Sequence, residues 1–125
     1  MDRKYVMTAL GYGLVGLLMG IYMAHSKNHA QVVTHAHIML VGLVVSFIYA
    51  VCYKLWLAAS PSKLSTIQFY THQIGTFVML ISLFLLFGGF APESLLGPIL
   101  GISTLSVLIS MLLMKILFIK SKPKN

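Results

Sequence analysis

The triplet His35-Ala36-His37 sets two imidazoles at the head of an apolar run from Ile38 to Tyr53. Imidazole is a ligand for zinc, copper and iron, and ionisable side chains kept within a membrane-spanning segment point to function. Residues two apart on an α-helix are turned by about 200°, so His35 and His37 project to nearly opposite faces and cannot readily chelate one ion together. If both are ligands, each serves a different site, and their helix is a wall shared by two cofactors. After about seven residues the rotation nearly closes, which sets Gly42 and then Tyr49 below His35 on one stripe. A glycine there is expected to leave room for a flat macrocycle, although glycine is also common in ordinary membrane-helix packing. A closed zinc site asks for about four ligands, and the nearby candidates are only His25 and His29. Haem asks less of the chain, because its porphyrin supplies four ligands and one or two axial histidines complete the iron. Interfacial histidines held by hydrogen bonds are the other reading of these residue types.

The elements that must hold this pair lie in a bilayer. The chain has 125 residues, 58% hydrophobic and 9% charged, with a mean hydropathy of +0.92, which is more apolar surface than a soluble domain of this size could bury. Four spanning helices are expected at about 5–23, 32–57, 64–87 and 95–118, making one all-α transmembrane domain over 1–125. Ser60-Pro61-Ser62-Lys63 should end the second and cap the third; Gly88-Gly89 should end the third, and Pro92-Glu93-Ser94 start the fourth. A cleaved leader is the rival reading of the first span, but its apolar run is long and Met23-Ala24-His25 is a poor cleavage site.

Four spans collect Arg3, Lys4, Lys54, Lys63, Lys115, Lys120, Lys122 and Lys124 on one side and leave Lys27 on the other. This asymmetry predicts both termini in the cytoplasm, the segment from His25 to His37 at the outer face, and a multi-pass protein of the cell's inner (cytoplasmic) membrane. The net charge of +7 therefore reports topology, and no nucleic-acid partner is expected, because the basic residues do not share one soluble face.

The remaining chemistry is sparse. Cys52 is the single cysteine and reads as a small core hydrophobe. The eight methionines are scattered, so copper handling is not expected, even though Met19 and Met23 share a helix face. Asp2 and Glu93 are the only acids and lie outside the expected spans, which argues against a proton pump or a small multidrug transporter. His72 falls toward the inner end of the third helix, some ~15–20 Å deeper than the pair, and suits a hydrogen bond within the bundle or a quinone contact better than the same iron. His25, Lys27 and His29 are outer-loop residues, either solvated or available to haem propionates.

The order of motifs is more specific than the pair. Thr34-His-Ala-His-Ile-Met-Leu-Val-Gly42, running on to Ala50-Val-Cys-Tyr-Lys-Leu-Trp56, resembles the haem-binding H-x-H helix of subunit I of the haem-copper respiratory oxidases. Lys63-Leu-Ser-Thr-Ile67-Gln-Phe69 with Ile74-Gly75 looks like the start of the next helix in that subunit, and Gly13-Leu-Val-Gly16-Leu-Leu-Met-Gly20 like the preceding glycine-rich one. The fourth helix matches only in position and apolarity. The chain thus resembles the last four of that family's twelve core helices. In the family the first histidine of H-x-H ligates the high-spin haem and the second the low-spin haem, so the resemblance makes His35 and His37 axial ligands to different haems.

The departures are as informative. The helices that supply the copper ligands, the His-Tyr pair and the opposite low-spin ligand are missing, and the loop from Gly89 to Glu93 lacks the family's paired arginines. Because the oxidase core resembles three four-helix arcs about a pseudo-threefold axis, three copies of this chain would rebuild its outline, with each haem taking His35 from one copy and His37 from the next. Gly16-x-x-x-Gly20 and Gly97-x-x-x-Gly101 are spacings that permit close helix contact. The expectation is a homotrimeric b-type cytochrome with about one haem b per chain, as one axial pair per interface implies. The alternatives are a reduced oxidase-like enzyme or small-gas sensor, and a non-haem metal transporter or assembly factor.

Overall fold

The computed structural model describes residues 1–58 and 60–123, so Ala59 of the second loop and Lys124 of the basic set lie outside the described residues. The described chain is helical, without a strand, and has four helices long and apolar enough to cross a membrane. They are α1 (Asp2–Ser26), α2 (Val32–Leu55), α3 (Lys63–Phe87) and α4 (Glu93–Lys120). Each begins a few residues before, or runs beyond, its expected limits except α2, which stops at Leu55 with Trp56 as its C-cap rather than at 57.

The stops follow local chemistry. The Ser62 side chain accepts from the Ser65 N–H at 3.1 Å, and the Ser65 hydroxyl accepts from the Ser62 N–H at 2.7 Å, a reciprocal cap that starts α3. Gly88 caps its far end, and Gly89 takes φ 72°, a left-handed turn that a side chain resists. At the end of α1 the left-handed position is Lys27, φ 58°, and the following Asn28 stabilises the turn by accepting the Ala30 N–H through Oδ1 at 3.1 Å.

The helices pair as two hairpins, α1 along α2 and α3 along α4. Small residues set the close approaches. Gly16 faces Met39 and Ile38 so closely that a Cβ would collide with the Met39 sulfur, and Gly75 would meet the Ser106 side chain at 2.9 Å. The hairpins are joined by apolar packing, as where Ile38 meets Met79, Leu80 and Leu83, and by polar side chains that bond between helices. The Tyr5 hydroxyl donates to Gln68 Oε1 at 2.6 Å, Gln73 Nε2 donates to Thr8 Oγ1 at 3.0 Å, and Gln31 Nε2 donates to the Phe84 carbonyl at 3.0 Å. Tyr5, Tyr53, Phe69 and Met114, one from each helix, pack in one cluster, so the start of α1, the end of α2, the start of α3 and the end of α4 share one end of the bundle. Most of the basic residues therefore crowd that end.

One local feature was not legible in the periodicity. Between Val32–His37 and Ser46–Leu55, which are α-helical, α2 widens into a π-helix over Ile38–Val45. A π-turn carries extra backbone per turn, so residues beyond it are rotated away from the faces that a straight α-helix would give them. Such turns are rare and recur at functional sites, and this one begins at the residue after His37.

Candidate functional site

The start of α2 is pinned before the histidines appear. Gln31 reaches across to the end of α3 through its amide nitrogen, and its Oε1 accepts from the buried Thr34 hydroxyl at 2.7 Å. This fixes the rotation of the first turn of α2 and hence the directions of His35 and His37. Gln31 and Thr34 carry no signal in the sequence beyond being polar residues at a span's edge.

His35 is half-buried and turned into the seam with α1. Its Nδ1 lies 2.8 Å from the Gly16 carbonyl oxygen, and its ring edge rests over Gly20, where a Cβ would stand 3.1 Å from Cε1. His37, also half-buried, does not enter that seam; its Nδ1 lies 2.8 Å from the Val33 carbonyl oxygen of its own helix. A carbonyl can only accept, so in each ring Nδ1 carries the proton, and in the neutral imidazole Nε2 is left with a bare lone pair. Neither Nε2 makes a hydrogen bond among the described residues. A backbone carbonyl on one ring nitrogen with the other free is the usual support of a metal-ligating histidine, because it fixes tautomer and ring orientation. The free Nε2 of each residue is a donor of the kind that could hold a haem iron.

The space expected beneath His35 is closed. A Cβ on Gly42 would come within 2.7 Å of Tyr12 Cγ, so the glycine receives the Tyr12 ring of α1 and leaves no slot for a macrocycle. Tyr49 is 3% exposed and lies against Tyr5 and His72, with ring centroids 5.5 and 5.1 Å away. The π-turn between His35 and Tyr49 undoes the simple seven-residue stripe, which assumed α-helical rotation throughout. Gly42 and Tyr49 therefore serve helix packing inside one chain.

His72 is fully buried on α3, and its Nε2 is 2.9 Å from the Ser46 hydroxyl oxygen of α2. Ser46 is nine residues beyond His37, with the whole π-helical stretch between them, so His72 and the pair are held at different depths. Among the described residues its Nδ1 has no hydrogen-bond partner, nor has the Thr76 hydroxyl one turn along α3, nor the Tyr49 hydroxyl. On the α1 side of this core, Gln68 accepts from Tyr5 and, at 2.9 Å, from Tyr53, and donates to the Ser110 carbonyl at 3.3 Å. Gln68 is the hub of the bundle, and nothing in the sequence marked it beyond a polar residue in an apolar run.

His25, Lys27 and His29 are exposed in the α1–α2 loop and are not brought onto His35 or His37 by any hydrogen bond or ion pair. Among the described residues no three His, Cys, Asp or Glu side chains converge as a metal site would require. The glycine pairs part company: Gly16 and Gly20 are consumed by α2, whereas Gly97 and Gly101 of α4 have no atom within 4 Å of a built Cβ. No protein-family model, curated protein or solved structure matches this chain.

Proposed function

We propose that this protein is an integral membrane b-type haem protein that passes electrons, with each haem held between two copies of the chain. The observation that carries the reading is the pair of Nδ1–H···O=C bonds at His35 and His37, which leaves two Nε2 lone pairs on different faces of one helix. When bound, haem would supply a one-electron iron couple, with the His35 and His37 imidazoles as the protein ligands that hold it. The chain's own part is to orient each ring and to keep the proton of the neutral imidazole on Nδ1. Because the two histidines diverge on one helix, His35 from one copy and His37 from the next would hold one iron, with about one haem b per chain and a closed ring, a trimer by the oxidase-like outline. The open Gly97/Gly101 edge of α4 is a surface along which another copy fits closely. The lysine-rich end is assigned to the cytoplasm, which makes this a multi-pass protein of the inner membrane with the haem near the outer face.

Absorption spectra of the purified protein, oxidised and reduced, with and without carbon monoxide, test the reading. A low-spin haem spectrum unchanged by carbon monoxide is expected. Carbon monoxide binding to the reduced protein would favour an oxidase-like enzyme or gas sensor, and a colourless preparation carrying zinc or copper would favour a transporter or assembly factor. Haem bound far below one per chain that reconstitution cannot raise would overturn the proposal.

A further inference from the structure

At the lysine-rich end, on the outer flank of the α1–α2 hairpin, lies a cleft of about 410 Å³. Its walls are the apolar side chains of Val6, Met7, Phe47 and Val51, and its mouth carries Arg3 and Lys54. Phe47 is seven residues from Lys54, so the cleft runs about 10 Å along the helix from the charged mouth into the apolar span. We infer that this cleft binds an anionic glycerophospholipid, its phosphate at Arg3 and Lys54 and the first part of an acyl chain along Phe47 and Val51. The site is independent of the haem reading.

One feature favours a lipid over a soluble anion. The apolar walls continue directly from the cations, so a phosphate without a hydrocarbon tail would leave them in contact with water or with unmatched lipid. A guanidinium such as that of Arg3 can form two parallel bonds to phosphate oxygens, and an ammonium such as that of Lys54 carries three donors, so one bond to phosphate does not use up its capacity. Basic pockets between helices at a membrane surface are recognisable headgroup sites for this reason. The neighbouring Lys4 is turned elsewhere, with Nζ 5.7 Å from the centroid of the Phe69 ring. Asp2 also borders the mouth, with a carboxylate oxygen 3.9 Å from the Met1 nitrogen. Its charge opposes a phosphate, which gives the inference a signed check.

The test titrates full-length protein in detergent with phosphatidylglycerol, phosphatidylcholine or inorganic phosphate, and counts bound lipid by native mass spectrometry. Phosphatidylglycerol should bind in preference to phosphatidylcholine, and inorganic phosphate should not displace it. The Arg3→Gln/Lys54→Gln variant should lose about 25-fold in phosphatidylglycerol affinity, from two surface cations acting together. Lys4→Gln should stay within about twofold, and Asp2→Asn should bind more tightly, because one like charge near the phosphate is removed. These substitutions are at the rim, so the melting temperature without lipid serves as the check on folding. Equal losses in Lys4→Gln and the double variant, weaker binding in Asp2→Asn, or displacement by inorganic phosphate would overturn the inference.

Discussion

Replacing Gln68 with leucine tests whether a polar hub holds the two hairpins together. The side chains are similar in size, so the change removes hydrogen bonds with little change in packing. It takes from the Tyr5 hydroxyl, which is fully buried, the acceptor it has among the described residues, bonded at 2.6 Å. Tyr53 loses a bond of 2.9 Å but keeps a weak alternative, the Ser65 carbonyl at 3.5 Å. An orphaned buried hydroxyl costs about 1–3 kcal/mol in soluble proteins, while single interhelical bonds in membranes average about 0.6 kcal/mol. Full weight for Tyr5 and partial weight for Tyr53 give a loss of about 2–3 kcal/mol for Gln68→Leu. Tyr5→Phe alone should cost under about 1 kcal/mol, because Gln68 keeps Tyr53. The double variant Tyr5→Phe/Gln68→Leu should be more stable than the sum of the single losses predicts, by about 1 kcal/mol, since it leaves no orphan at position 5. Reversible unfolding in mixed micelles of a mild detergent and dodecyl sulfate, followed by helical circular dichroism, measures all three. A Gln68→Leu loss under about 0.5 kcal/mol, or strict additivity in the double variant, would show that apolar packing alone joins the hairpins.

Gly42→Ala should destabilise the α1–α2 hairpin by about 1–3 kcal/mol through collision with Tyr12, whereas Gly11→Ala, with open space around it, should be neutral or mildly stabilising; unfolding midpoints compare them. Ser46→Ala leaves the buried Nε2 of His72 without its partner and should cost about 1–2 kcal/mol, and an unchanged midpoint would count against that bond. His35→Ala and His37→Ala should each perturb every haem site in a homo-oligomer, and mixing the two variants should restore native sites where an intact His35 meets an intact His37; a monomer with a bis-histidine spectrum would refute sharing between copies. Gly97→Leu/Gly101→Leu should leave the helical content intact but reduce the oligomer seen by light scattering, because both positions are open in the single chain.

The sequence by itself determined the four apolar helices and most of their limits. Apolar runs of spanning length leave a backbone no other way to satisfy its hydrogen bonds in lipid, and Ser62, Gly88-Gly89 and Pro92 act on their immediate neighbours. It also set the divergence of His35 and His37, a property of α-helical rotation that holds because both precede the π-turn. What lies past that turn was decided by packing. The slot at Gly42 depended on what α1 would place opposite it, and the answer is a tyrosine 30 residues earlier, which no local pattern encodes. The same holds for Gln68 and Ser46, whose roles exist only because Tyr5, Tyr53 and His72 arrive from other helices. Two glycine pairs of identical spacing had opposite fates, Gly16/Gly20 closed against α2 and Gly97/Gly101 left open, because spacing specifies how closely a helix can be approached and the tertiary arrangement decides what approaches it.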